Sequence, residues 1–218
     1  MRKWHIPVLF ALVPLVSLLS LSACGGGSSG GSPDTTPVPT DLARTTCKPP
    51  QAAAPTTPDS LPQGLAEYRS PERGYRVQYP ESWSAKANAV SVANITGDAF
   101  FTGDTVGKIN PNVSVTCETV PIGATSGDFI DAKRTVVQRT VGKLPDIEKM
   151  LTVNGNEAAS VAYSQEVVQT PEPIAMDKVE VYFADDMGGW TIALIAPKGS
   201  IDTYRPAFDA LVQSYRRP

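Results

Sequence analysis

The chain has 218 residues, with 19 lysines and arginines against 22 aspartates and glutamates, one histidine, three cysteines and a formal net charge of −3. That balance supplies no electrostatic footprint for nucleic acid and no polybasic patch for anionic lipid. The single histidine is His5, so any catalytic system that turns on an imidazole has nothing to draw on beyond the first few residues.

The N-terminus reads as an export signal. Met1-Arg2-Lys3 is a positive n-region, Trp4 to Ser20 an apolar h-region, and Leu21-Ser22-Ala23-Cys24 places small residues before a cysteine. A transmembrane anchor needs about 20 apolar residues, whereas Pro7 and Pro14 interrupt a shorter run that meets Gly25-Gly26-Gly27 directly. The tetrad resembles a bacterial lipobox. That resemblance implies export, acylation of the Cys24 sulfur and cleavage before it, leaving residues 24–218 tethered outside the cytoplasm to the cell membrane or the outer membrane. Loss of residues 1–23 removes Arg2 and Lys3, so the 19 basic residues fall to 17 against 22 acidic ones, a formal charge of −5. His5 leaves with them.

Residues 24–64 follow the cut as a lipidated cysteine and a segment rich in Gly, Ser, Thr, Pro and Ala. It has too few large apolar side chains to offset its ordering entropy, which predicts a disordered linker. Random-coil scaling gives it a reach of roughly 35 Å. Gly25 to Gly30 formally satisfies a G-x-G-x-x-G pattern, but no strand precedes it and no helix follows, so the dinucleotide-binding reading lacks its context.

From residue 65 to 218 the composition is that of one compact domain. Tyr75, Val77 and Tyr79 alternate with polar residues in a strand stopped by Pro80. Weaker strand signals run through Val90, Val92 and Ile95 and then Phe100 and Phe101, and Val113, Val115 and Cys117 mark a cleaner strand. A helix is predicted from Thr125 or Ser126 as N-cap, with Asp128 in its first turn and Phe129, Ala132, Val136 and Thr140 or Val141 as its inner face. Asn154-Gly155 is a strong hairpin signal between Met150–Val153 and the run of Ala159, Val161 and Tyr163. A second pair, Val179 to Ala184 and Trp190 to Ala196, flanks the turn Asp185 to Gly189. The last helix carries Tyr204, Phe208, Leu211, Val212 and Tyr215 on one face, with Thr203 as N-cap and Pro206 at its third position. Antiparallel hairpins with two helices predict an α+β fold in which helices flank the sheet.

Gly74-Tyr75-Arg76-Val77-Gln78-Tyr79-Pro80-Glu81-Ser82-Trp83 resembles the opening hairpin of the PsbP-like superfamily, and the likeness continues through Asn112-Val113-Ser114-Val115, the Asn154-Gly155 hairpin and Thr191 to Tyr215. It spans roughly Glu67 to Arg216. The resemblance implies an α/β/α sandwich around an antiparallel sheet, usually in a non-catalytic protein that binds or helps assemble a larger complex. Cyanobacterial members are lipid-anchored and associate with photosystem II, a role that requires a phototrophic source. Metal sites of other members carry over to no position here, because residues 24–218 contain no histidine.

The chemistry read from the residues agrees. Imidazole-based nucleophiles, histidine-containing zinc sites, the S-x-x-K pattern, Walker A, C-x-x-C and EF-hand loops are all missing, which argues against an enzyme and calls for no cofactor. Asp185 and Asp186 beside Gly188-Gly189 are a weak candidate for a hard cation, and a polar hairpin turn explains them more simply. Asn94-Ile95-Thr96 and Asn112-Val113-Ser114 match the N-glycosylation pattern by chance. Cys47 and Cys117 remain once Cys24 is acylated. In an oxidising compartment a free exposed thiol is a liability, which favours pairing; the alternative makes Cys117 a core side chain and Cys47 an unpaired linker thiol. The expected partners are a membrane, through the lipid, and an envelope or membrane protein complex, with a small-ligand or divalent-cation binder as the rival class.

If Cys24 carries the lipid, Cys24→Ser expressed in a bacterial host is expected to lose radiolabelled fatty acid and to keep its signal peptide. Undiminished labelling of that variant refutes the lipobox.

Overall fold

The computed structural model describes residues 43–48, 61–92, 95–105, 110–167 and 173–217. The signal peptide, Cys24, Asn94 and most of the segment read as a linker lie outside the described residues. The elements run β1 Leu65–Arg69, β2 Arg76–Pro80, β3 Ser84–Val92, β4 Ile95–Thr102, β5 Asn112–Glu118, α1 Ser126–Val141, β6 Ile147–Val153, β7 Asn156–Val167, β8 Ile174–Ala184, β9 Gly189–Pro197 and α2 Ile201–Ser214. This is the α+β architecture expected, three layers deep.

The middle layer is a seven-stranded sheet in the order β3-β4-β5-β9-β8-β7-β6, with every neighbouring pair antiparallel. The chain leaves β5 in the middle of the sheet, crosses through α1 to the far edge, and returns by the meander β6 to β9 until β9 pairs with β5. Alternation decides which side chains face which layer. Val179, Val181 and Phe183 of β8 share a face with Trp190, Ile192 and Leu194 of β9 and Val113, Val115 and Cys117 of β5, and this face packs against α2 and the β1-β2 hairpin. Ala159, Val161, Tyr182 and Ala184 point the other way, to α1.

Local chemistry explains most element ends. Asn154 and Gly155 both take positive φ, 49° and 83°, as the two-residue turn between β6 and β7 demands. Thr125 caps α1 in a reciprocal capping box, its side chain accepting from the Asp128 N–H while Asp128 accepts from the Thr125 N–H at 2.9 Å. Gly142 ends the helix in the left-handed region, its N–H donating to the Gln138 carbonyl.

One strand is added to those expected, and two expectations are corrected. Strand β1 carried no clear signal and forms only because β2 and the aromatic core receive it. Helix α1 buries Phe129, Ile130 and Val137, while Ala132 and Val136 face outward. The helix is rotated because the Phe129 ring seats against Gly189, where a Cβ would lie 2.3 Å from it, and because Lys133 takes an inner position and reaches Glu118 at 2.5 Å. Its ammonium thereby lies over the rings of Phe129 and Tyr182, 5.8 and 5.9 Å from their centroids. Helix α2 starts at Ile201 rather than after Thr203, so Pro206 is its sixth residue. Gly199, at φ 80°, turns the chain straight from β9 into the helix. The proline leaves the Asp202 carbonyl without its i+4 donor, at a place where both residues are exposed to solvent.

The rotation of α1 has a direct test. Val137→Ala is expected to cost about 2 kcal/mol in a urea titration, from lost burial plus a cavity. Val136→Ala, at a position 52% exposed, is expected to stay within about 0.5 kcal/mol.

Candidate functional site

Two clusters of polar and reactive side chains stand out, and both lie where the first half of the chain meets the end of the second. The first gathers around Cys47. Residues 43–46 lie antiparallel to the segment after β5, with a bridge between Arg44 and Pro121. The Thr45 N–H donates to the Val120 carbonyl and the Ile122 N–H to the Ala43 carbonyl, each at 2.9 Å. The Val120 N–H donates to Thr45 Oγ1 and Arg44 Nη2 to the Thr119 carbonyl. The Cys47 N–H then donates to the Met187 carbonyl, and Cys47 and Cys117 form a disulfide, both essentially inaccessible to solvent. The sulfurs lie against Gly188, where a Cβ would sit 2.6 Å from the Glu118 carbonyl and 2.8 Å from Cys117 Sγ, so only glycine fits. A stretch assigned to the linker is thus a strap on the domain.

The strap and the turn at Pro121 to Ala124 border a cleft of about 430 Å³ that also reaches Asp185 and Asp186. These two carboxylates are already engaged. Asp185 Oδ1 accepts from the N–H groups of Met187 and Gly188, and its Oδ2 lies 3.4 Å from Arg217 Nε. Asp186 accepts from the same guanidinium. The arginine holds the place that a hard cation would take. Among the described residues, no group of three or more metal-ligating side chains is found.

The second cluster was not legible in the sequence. At the β4-β5 pairing the register shifts between Gly97 and Ala99, and the bulge turns Asp98 into the core. Opposite it, the turn from Ser70 to Tyr75 brings in Arg73, held by the Gly74 N–H on the Ser70 carbonyl and the Arg73 N–H on Ser70 Oγ. Arg73 and Asp98 are 5% and 4% exposed, with Nε and Oδ1 3.9 Å apart. Aromatic rings surround them. Tyr75 stacks on Tyr215 at 5.2 Å and meets Trp190 edge-on at 5.7 Å, and Tyr68 lies edge-on to Phe101 at 5.5 Å. Burial, then the Asp98 charge, pushes the Tyr68 phenol up to about 12 and Tyr75 well above its ordinary value. Burial and the Asp185 charge do the same to Tyr215. These phenols stay protonated and do not act as bases. A glycine followed by aspartate inside a weak strand was the one available sign of the bulge.

On the opposite sheet face, Lys133 pairs with Glu118, and Tyr182 donates to Glu180. Asn112, half-buried in β5, donates to the Asn110 carbonyl. No helix among the described residues is long and apolar enough to cross a membrane.

No family model matches the chain, and no curated protein does. Among solved structures it is similar to cyanobacterial PsbP (CyanoP) from Synechocystis sp. PCC 6803, at 14% identity and a TM-score of 0.48, over 75% of this chain and 98% of that one. It is also similar to PA94 from Pseudomonas aeruginosa, a putative regulator of unknown function, at 14% identity and 0.42, over 69% and 94%. A third is LpqN of Mycobacterium tuberculosis, a protein involved in cell envelope biogenesis, at 11% identity and 0.43, over 71% and 92%.

The Arg73–Asp98 pair is expected to behave as a buried ion pair. Arg73→Met leaves a buried carboxylate alone and should cost about 3–5 kcal/mol, whereas the double variant Arg73→Met with Asp98→Leu should recover most of that. Chemical denaturation of the three proteins checks it. Additive losses refute the pairing.

Proposed function

We propose that the protein is an extracytoplasmic lipoprotein whose anchored domain is non-catalytic and acts by binding, with a protein complex of the envelope or membrane as its partner. The observation that carries the compartment is the buried Cys47–Cys117 disulfide, because such bonds persist where the surroundings are oxidising and are rare in the cytosol. It agrees with the export signal and the lipobox read from the first 24 residues. The absence of catalysis rests on how the reactive groups are used. Asp185 and Asp186 are tied to Arg217, Glu118 to Lys133, and Glu148 to Arg205 and Ser160. The tyrosines around Asp98 are held neutral. What the domain leaves to a partner is surface.

The test is made on the anchored protein in its own membrane. Photo-crosslinking followed by detergent extraction and mass spectrometry is expected to recover a discrete protein complex. If the extracted domain instead shows a large rise in melting temperature with a metabolite or a divalent cation, as selective binding to the native state produces, the reading fails in favour of a ligand-binding protein.

A further inference from the structure

The strap meets the domain at one end of the sheet. The two ends of the sheet differ. At one end lie the close of β5, paired with the start of β9, the turn at residues 185–188, the Asn154-Gly155 hairpin and the strap itself. The Arg69–Arg76 end of the β1-β2 hairpin lies there too, because Arg76 bridges to Arg216, and Arg217 reaches Asp185. At the other end, Leu65 pairs with Pro80, the chain turns through Trp83 into β3, and Ser84, Thr102, Asn112 and Ile195 follow one another across the sheet. The Trp83 ring lies beside Gly103 and Tyr204 at this end. The ends are separated by the length of a strand, about 30 Å for the nine residues of β9.

A tether that ran freely to the first strand would enter the domain at Leu65, at the Trp83 end. The disulfide and the backbone hydrogen bonds of residues 43–47 intercept it at the opposite end. We infer that the Cys47–Cys117 disulfide inverts the domain with respect to the membrane: the end carrying Ile122 and the 185–188 turn hangs toward the lipid, and the end carrying Trp83, Tyr204 and the start of α2 is presented outward. This rests on the anchored reading above. The chain then meets the domain 19 residues after Cys24, at Ala43, rather than 41 residues after it, at Leu65. The chain between Cys47 and Leu65 becomes part of a closed loop and no longer adds to the tether.

The experiment uses the full mature lipidated chain in phosphatidylethanolamine and phosphatidylglycerol vesicles carrying a headgroup-labelled energy acceptor. A donor dye is clicked onto azidophenylalanine placed either at Ile122, which is 68% exposed, or at Lys198, exposed at the other end. Stronger transfer from 122 than from 198 is expected, and equal transfer or the reverse order overturns the inference. In Cys47→Ala the preference for 122 is expected to vanish or reverse; its persistence shows that the disulfide does not set the orientation. Should that variant not fold, a protease site inserted between Ala53 and Ala54 keeps the test open. After cleavage the domain is expected to float with the vesicles without reductant and to be released once denaturant and reductant open the disulfide, and release without reductant overturns the inference. A chain that never floats before cleavage overturns the anchor itself, a failure distinct from any difference between the two dye positions.

Discussion

The antiparallel pairing of β5 with β9 is the contact on which the rest of the fold depends. It joins residues that are far apart in the chain, Asn112 to Ile195 at one end and Glu118 to Gly189 at the other. Val113, Val115 and Cys117 meet Leu194, Ile192 and Trp190 on one face, all fully buried. Full burial of a large apolar side chain contributes about 1.5–3 kcal/mol. The pairing closes the long stretch between Glu118 and Gly189, which holds the α1 crossover and strands β6 to β8, and so carries a large loop-closure cost. Everything else is attached to this pair: α2 and the β1-β2 hairpin on the apolar face, the strap through Cys117.

The apolar side of such a core does not by itself fix one arrangement, because branched and aromatic side chains tolerate repacking. The buried Arg73–Asp98 pair supplies the missing specificity. It costs desolvation, and a hydrophobic substitute of the same volume would serve stability as well or better. Its effect is to allow one position of the β1-β2 hairpin over the sheet, since any slip leaves two charges buried and apart. The bulge at Asp98 and the turn at Ser70 exist to aim these two side chains.

At the other end of the aromatic cluster, Arg217 plays a comparable part. It closes the C-terminus onto the 185–188 turn, whose Gly188 and Gly189 make room for the disulfide on one side and the Phe129 ring on the other. The same residues that looked like ligands in isolation are the fasteners of the strap end.

Patterns that act over a few residues could be read directly from the sequence: the alternation of Tyr75 to Tyr79 and Val113 to Cys117, the Asn154-Gly155 turn, the Thr125 cap and the α2 face from Phe208 to Val212. Each reflects a local constraint, a backbone dihedral or a side-chain period, that the tertiary fold left in place. The face of α1 was misread because the inward position of Lys133 depends on Glu118, and that of Phe129 on a glycine about 60 residues later. The Arg73–Asp98 pair, the engagement of Asp185 and Asp186 by Arg217 and the conversion of a linker stretch into a strap are likewise long-range pairings. Periodicity carries no record of such partners, because a side chain's charge fixes what it needs but not which distant residue supplies it; only the folded sheet decides that.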